Sequence, residues 1–212
     1  MTLTDLINQL SGSELSNLFD FDADTQEIDQ ASRMKLIPQL NLGLQLLYNR
    51  FFLKEGTEII NMVENVYTYP LQNADVLRIE QVKTIKDDEL LLDVEDEPES
   101  LMRKNLTTLK TPVDMDPITL VVTYRAGPTK LTKTDGYKYP DNIQIDLPPM
   151  YAEALSLFIA SRFLNPMGAT DGIHEGNNYA SKYEQACRLL ETQNYDLDRY
   201  DNEDTFHSAG WV

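Results

Sequence analysis

Met34-Lys-Leu-Ile-Pro-Gln-Leu-Asn-Leu-Gly-Leu-Gln-Leu-Leu-Tyr-Asn-Arg-Phe-Phe-Leu-Lys-Glu-Gly-Thr-Glu58 is the stretch on which the fold turns. Ile37, Leu40, Leu44, Leu47 and Phe51 recur at three- and four-residue steps, the spacing of one face of an α-helix. Leu36, Leu46 and Phe52 widen that face until little of the circumference is polar. A helix that is apolar nearly all round needs cover on more than one side. Pro38 suits a first turn, where no backbone donor is required, and Gly56 suits a helix stop. The spacing therefore predicts a central helix from about Pro38 to Lys54, covered by later helices and by a neighbouring subunit.

Upstream, Thr4 to Leu10 is a short amphipathic piece with a capping residue in front and Gly12 behind. Ser13 to Asp24 reads as a second short helix or an ordered loop packed by its aromatics. Asp24 followed three residues later by Glu27 resembles a capping box, so a forerunner of the central helix is expected near Thr25.

Downstream of Gly56 the period changes. Ile59, Met62, Val63, Val66 and Tyr67 are β-like, and Tyr69-Pro70 closes the run. Val76–Ile85 and Leu90–Val94 flank Lys86-Asp87-Asp88-Glu89, a hairpin pattern. From Pro98 to Asp116 there are few regular signals. Ile118 to Arg125 is dense in β-branched residues, ends at Gly127-Pro128, and is the clearest strand of the chain. Thr129 to Asp141 reads as a polar loop, and Ile143 and Ile145 alternate with polar residues as a last short strand.

Pro148-Pro149 opens a further helix with Tyr151, Ala154, Leu155, Phe158, Ile159 and Phe163 on its apolar face, ended by Asn165-Pro166. Met167 to Asn177 is a glycine-bearing connector, and Tyr179 to Gln193 a final helix with Tyr183, Cys187 and Leu190 on one side. From Asn194 onward acids alternate with Tyr195, Leu197, Tyr200, Phe206 and Trp211, too sparse in apolar residues to build a core. Spaced aromatics of this kind are typical anchors for a partner's groove.

The predicted class is α+β: a bundle of three to four helices with an inserted small antiparallel β-sheet domain and an extended C-terminal tail. The boundaries are N-terminal helices 1–56, β insertion 57–147, C-terminal helices 148–193 and a C-terminal arm 194–212.

The chain carries 35 acidic against 18 basic residues, a net charge of −17. Binding to phosphate backbones works through Lys and Arg, so a DNA-gripping surface is not expected. A duplex could still slide through an acidic channel. Cys187 is the single cysteine, which removes an intrachain disulfide and a cysteine-rich zinc site. Neither the first residues nor any later run resembles a signal peptide or a membrane span, so a soluble protein of a reducing cytosol is expected.

Catalytic and metal constellations are not evident. His174 beside Glu175 lacks a second ligand at zinc spacing and reads as exposed loop, while His207 lies in the tail. Asp196, Asp198 and Asp201 lack the glycine and terminal glutamate of a calcium loop. Gly168, Gly172 and Gly176 follow a helix rather than a strand, which does not suit a phosphate cradle. The acidic run between Asp87 and Glu99 reads as a solvated hairpin face. No enzyme, metal or cofactor is expected.

The order of motifs is more informative. Leu47-Tyr48-Asn49-Arg50-Phe51-Phe52-Leu53-Lys54 ends the leucine-rich helix before Glu55-Gly56-Thr57, and Tyr69-Pro70-Leu71 follows. Then come Thr123-Tyr124-Arg125-Ala126-Gly127-Pro128, Ile145-Asp146-Leu147-Pro148 before a helix with Ala160-Ser161-Arg162, and Tyr183-Glu184-Gln185-Ala186-Cys187. This succession, over most of residues 30–193, resembles the head-to-tail adaptor (connector) proteins of short-tailed bacteriophages. The resemblance implies a structural virion protein made in the host cytoplasm, a ring homo-oligomer, expected to be a dodecamer, between portal protein and tail nozzle protein. DNA would pass through its channel without specific binding. It also implies an arm that packs between portal subunits, here through Tyr195, Tyr200, Phe206, Trp211 and Val212. Leu40, Leu44, Leu47, Phe51 and Phe158 are the candidates for subunit packing. The alternatives are another ring of the same tail, such as a nozzle or tail-completion subunit, or an acidic inhibitor that mimics nucleic acid.

Overall fold

The computed structural model describes residues 1–11, 30–94, 97, 99–132, 143–164 and 173–193. The protein is α+β. Its described helices are α1 (Leu3–Ser11), α2 (Gln30–Arg50), α3 (Ala152–Leu164, entered through a 3-10 turn at Pro149–Tyr151) and α4 (Ile173–Thr192). Its strands are β1 (Glu55–Asn61), β2 (Thr68–Pro70), β3 (Val76–Thr84), β4 (Met102–Asn105), β5 (Thr108–Lys110) and β6 (Thr119–Ala126). The chain divides into two compact units, Met1–Phe51 with Pro128–Val212, and Phe52–Gly127. Pro128 to Leu147, expected to belong with the sheet, falls in the helical unit.

In the helical unit α1, α2 and α4 all pack on α3. Helix α1 starts with a reciprocal cap: Asp5 N–H donates to Thr2 Oγ1 (3.0 Å) and Thr2 N–H to Asp5 Oδ2 (2.8 Å). Hydrogen bonding to the carboxylate from Thr2, the backbone N–H first and the hydroxyl second, holds the exposed Asp5 carboxyl below its ordinary range. The segment around Gln144 bridges to Thr2, with Leu3 N–H on Ile143 O (2.9 Å) and Ile145 N–H on Met1 O (2.8 Å). The alternation of Ile143 and Ile145 thus marks extended chain, as expected, but it pairs with the N-terminus and not with a sheet.

Helix α2 is longer at its start and shorter at its end than the predicted Pro38–Lys54. Pro38 lies inside it, on an exposed face, where the carbonyl left without its amide partner can reach water. Phe51 N–H closes the last turn onto Leu47 O (2.7 Å), and the boundary between the units follows immediately. Leu36, Ile37, Leu40, Leu44, Leu47, Tyr48 and Phe51 are buried, each apolar side chain contributing about 1.5–3 kcal/mol. Leu42 and Leu46, one turn apart, stay exposed, so the helix is not covered all round. At Gly43 a Cβ would lie 2.6 Å from Leu155 Cδ1 and 2.8 Å from Phe158 Cδ1, so glycine there sets the close approach of α2 to α3. The polar residues of this greasy helix have work too. Asn41 exchanges two bonds with the Leu131 backbone (2.8 and 2.9 Å), and the Tyr48 hydroxyl donates to Asp146 O (2.5 Å).

Helix α4 begins at Ile173, so the last part of the expected connector, with His174, is helical. It runs through Gly176, which is buried: packing overrides the poor helix propensity that made the residue look like a linker. Cys187 is fully buried, and burial pushes its thiol pKa up.

The second unit holds two antiparallel three-stranded sheets, ordered β1-β6-β3 and β2-β5-β4. Strand β6 is central, and Leu120, Val122, Tyr124 and Ala126 point into the core by simple alternation. In β3 an irregularity between Ile79 and Gln81 resets the phase, so Ile79 and Val82 both face inward. The same irregularity frees the Ile79 backbone for the second sheet: its N–H donates to Leu106 O (3.0 Å) and its carbonyl accepts from Arg103 (2.9 Å). Arg103 also pairs with Asp93, whose carboxyl burial alone would raise; the Arg103 backbone and guanidinium bonds keep it low. Arg125 is buried between Glu80 (3.0 Å) and the Phe52 ring (5.0 Å to the centroid).

The expected hairpin after β3 turns where predicted, with Thr84 N–H on Asp88 O (2.8 Å) and Leu90 N–H on Val82 O (2.9 Å), but its return limb makes only isolated bridges. The stretch Pro98–Asp116, which carried few signals, contains β4 and β5. Gly56 does not stop a helix; it lies in β1 beneath the ring of Tyr124, its cross-strand partner. The expected elements at Ser13–Asp24 and near Thr25, most of the 129–141 loop and the C-terminal arm lie outside the described residues.

Candidate functional site

The residues nominated for subunit packing turn out to be interior. Leu40, Leu44, Leu47, Phe51 and Phe158 are buried in this chain's own helical unit, so they have almost no surface left to offer a neighbour. The same three- and four-residue spacing marks a core face and an assembly face, and only packing tells them apart. Tyr195, Tyr200, Phe206, Trp211 and Val212 lie outside the described residues.

What the helical unit does leave open is a groove of about 580 Å³ between the start of α3 and the last turns of α4. Ala154 and Ala186 keep its floor low, while Leu157, Leu190 and two strongly exposed side chains, Met150 (47%) and Leu189 (57%), make it apolar. Glu153 and Lys182 are the charges on its walls, and Lys182 Nζ lies 5.1 Å from the Tyr179 ring centroid. Gln193, which also lines the groove, is the last of the described residues. The signal for this surface was the doublet Leu189-Leu190: one leucine fits the helix's core stripe and the other has to point outward.

Helix α4 is held to α2 by one guanidinium. Arg50 donates through Nε to Glu191 (2.7 Å) and through Nη1 to Glu184 (2.8 Å), two acids seven residues apart on the same face of α4. The bond to Arg50 lowers the Glu191 pKa, and the bond to Glu191 raises that of Arg50. A carboxyl depressed in the folded state adds stability that is fully present above its unfolded pKa and disappears as pH falls through the folded one. Glu191→Gln is therefore expected to lower stability at pH 7 by up to about 1 kcal/mol, the range of a partly exposed ion pair. The difference from the parent should shrink as pH falls below the ordinary glutamate range and vanish at an acid pH below the depressed folded-state pKa, where both carry a neutral side chain. Urea midpoints at the two pH values check this; a deficit that persists in acid would assign the loss to packing.

Among the described residues no group of three or more His, Cys, Asp or Glu is placed to hold a metal ion, and no helix is long and apolar enough to cross a membrane. The His174 side chain and His207 lie outside the described set. The chain matches no protein-family model and no curated protein.

Proposed function

We propose that the protein is a head-to-tail adaptor of a short-tailed bacteriophage, a virion component that joins the portal to the tail nozzle. In this reading the helical unit is a bundle into which a small sheet domain is inserted, and the residues after Gln193 form an extended arm. Copies assemble as a ring, expected to be a dodecamer, that lines the DNA exit channel.

The observation that carries the proposal is the insertion itself. The chain leaves the helical unit after Phe51 and returns to it at Pro128, the arrangement that the order of motifs implied. Two further features support it. Leu42, Leu46, Met150 and Leu189 are exposed apolar side chains on the helices, suited to contacts between copies now that the nominated residues are known to be interior. The net charge of −17 suits a channel that DNA must traverse without sticking.

Electron microscopy of the protein mixed with portal rings is the test. A collar of density on the portal is expected, and removal of Asn194–Val212 should abolish it while leaving the thermal unfolding midpoint unchanged. Docking that survives the deletion removes Tyr195, Tyr200, Phe206, Trp211 and Val212 from the mechanism. A chain that stays monomeric and never docks overturns the proposal, and a ring that forms but ignores the portal points to another tail ring.

A further inference from the structure

The sheet unit carries a second cleft, between the β1–β2 loop and the β5–β6 loop. The loops are stitched at both ends: Met62 N–H donates to Ile118 O (3.0 Å), and Thr111 N–H donates to Tyr67 O (3.1 Å). Between these ties lies a cavity of about 410 Å³. One wall is pinned from below. The hydroxyl of buried Tyr69 accepts from Val63 N–H (3.0 Å) and donates to Val66 O (2.7 Å), while Val66 N–H closes onto Val63 O (3.1 Å). Asn65 supplies the left-handed residue of that turn, at φ 62°. The cleft is thus preformed, and a ligand need not order it.

Its chemistry is one-sided. Val63 (59% exposed) and Val113 (66%) stand open at the rim. The charged side chains among its lining residues, Glu64, Asp114 and Asp116, are all acidic. In the wall lies Thr111, only 2% exposed, whose hydroxyl is the only buried side-chain polar atom among the described residues with no hydrogen-bond partner in the protein. A buried hydroxyl left in this way costs stability and calls for a partner. An apolar rim flanked by carboxylates is complementary to a long side chain with an aliphatic stem and a cationic head. Nucleic acid and anionic membranes would be repelled by the same carboxylates.

We propose that this cleft is a docking site for a lysine or arginine side chain presented by a partner protein between apolar neighbours. The stem lies on the valines, and the cation sits among Glu64, Asp114 and Asp116. This goes beyond the adaptor reading and does not depend on it.

The test is a titration of the ¹⁵N-labelled full chain with the capped tripeptides Val-Lys-Val and Val-Arg-Val, and with Val-norleucine-Val as the uncharged control. Amide shifts are expected to concentrate in 62–67 and 111–117 at peptide concentrations up to about 10 mM, the range of a single anchoring side chain. The norleucine peptide, the Asp114→Asn/Asp116→Asn variant and salt raised to about 0.5 M should each weaken binding about fivefold, as loss or screening of exposed ion pairs requires. Both aspartates are exposed, so the variant is expected to keep the parent's spectrum elsewhere. Equal binding of norleucine, indifference to the double substitution, shifts scattered over the acidic surface, or no shifts at all would overturn the proposal. So would shifts in these loops that follow protein concentration rather than peptide, since a second copy would then occupy the cleft.

Discussion

Phe51→Ala is expected to destabilise the helical unit by about 3–5 kcal/mol, the usual cost of emptying a buried aromatic site. Phe51 is 1% exposed at the end of α2, with its ring centroid 5.0 Å from that of Tyr151, tilted at 58°. Removing it forfeits the transfer energy of the ring and the aromatic contact, and leaves a hole that the 3-10 turn at Pro149–Tyr151 and the last turn of α2 would have to collapse to fill. Against a typical total stability of about 5–15 kcal/mol this is a large fraction. Urea unfolding at two protein concentrations reads the effect and also its origin. A midpoint that falls equally at both concentrations assigns Phe51 to the interior. A loss that appears only on dilution would return it to the subunit-packing role expected from its spacing, and a loss below about 1 kcal/mol would contradict the burial altogether.

Gly56→Val is expected to cost about 2–3 kcal/mol in the sheet unit, in spite of valine's preference for strands. Gly56 faces Tyr124 across the β1–β6 ladder. A Cβ at Gly56 would collide with Tyr124 Cζ and lie 2.6 Å from Cε2 and 2.7 Å from the hydroxyl oxygen. The ring cannot simply swing away, because Tyr124 is part of the core and burial is the main cause of its raised pKa. A tyrosine laid over a cross-strand glycine covers backbone that would otherwise be bare, so each residue accounts for the other. The decisive measurement is the double-mutant cycle. Tyr124→Ala should absorb most of the penalty of Gly56→Val, with an interaction energy of about 1–2 kcal/mol. Additive costs would show that the glycine serves some other need of the strand.

Much of this architecture could be read from local pattern. The run Ile118–Arg125 became the central strand β6 because its dense β-branched residues suit a pleated, packed surface. The stripe on α2 became a buried face because only a 3.6-residue period brings Ile37, Leu40, Leu44, Leu47 and Phe51 together. Pro148-Pro149 did open the α3 region.

The harder elements are those whose stability is not local. Strands β4 and β5 are four and three residues long, too short to show a period, and they hold their place through Leu106 and Arg103 reaching the backbone of Ile79. Their signal lay in residues more than twenty positions away. Gly56 was ambiguous for the same reason: a glycine followed by a strand looks alike whether it ends a helix or makes room for a ring from β6. The candidate surfaces were less legible still. Neither the α3–α4 groove nor the cleft beside Thr111 corresponds to any contiguous motif.

Taken alone, the order of residues determined that α2, α3 and most of α4 are helical, that β3 and β6 are extended, that apolar surface suffices for a core, and that the protein is strongly acidic. These depend on side-chain period, backbone preference and charge count, all of which act between near neighbours. The tertiary structure alone decided that Leu36, Leu40, Leu44 and Leu47 of α2 face inward within one chain while Leu42 and Leu46 do not, that Ile143–Ile145 pairs with the N-terminus, and that Val63 and Val113 edge a cleft with carboxylates around it. Those outcomes follow from which surfaces meet, and burial is a property of the pair of surfaces rather than of either sequence segment.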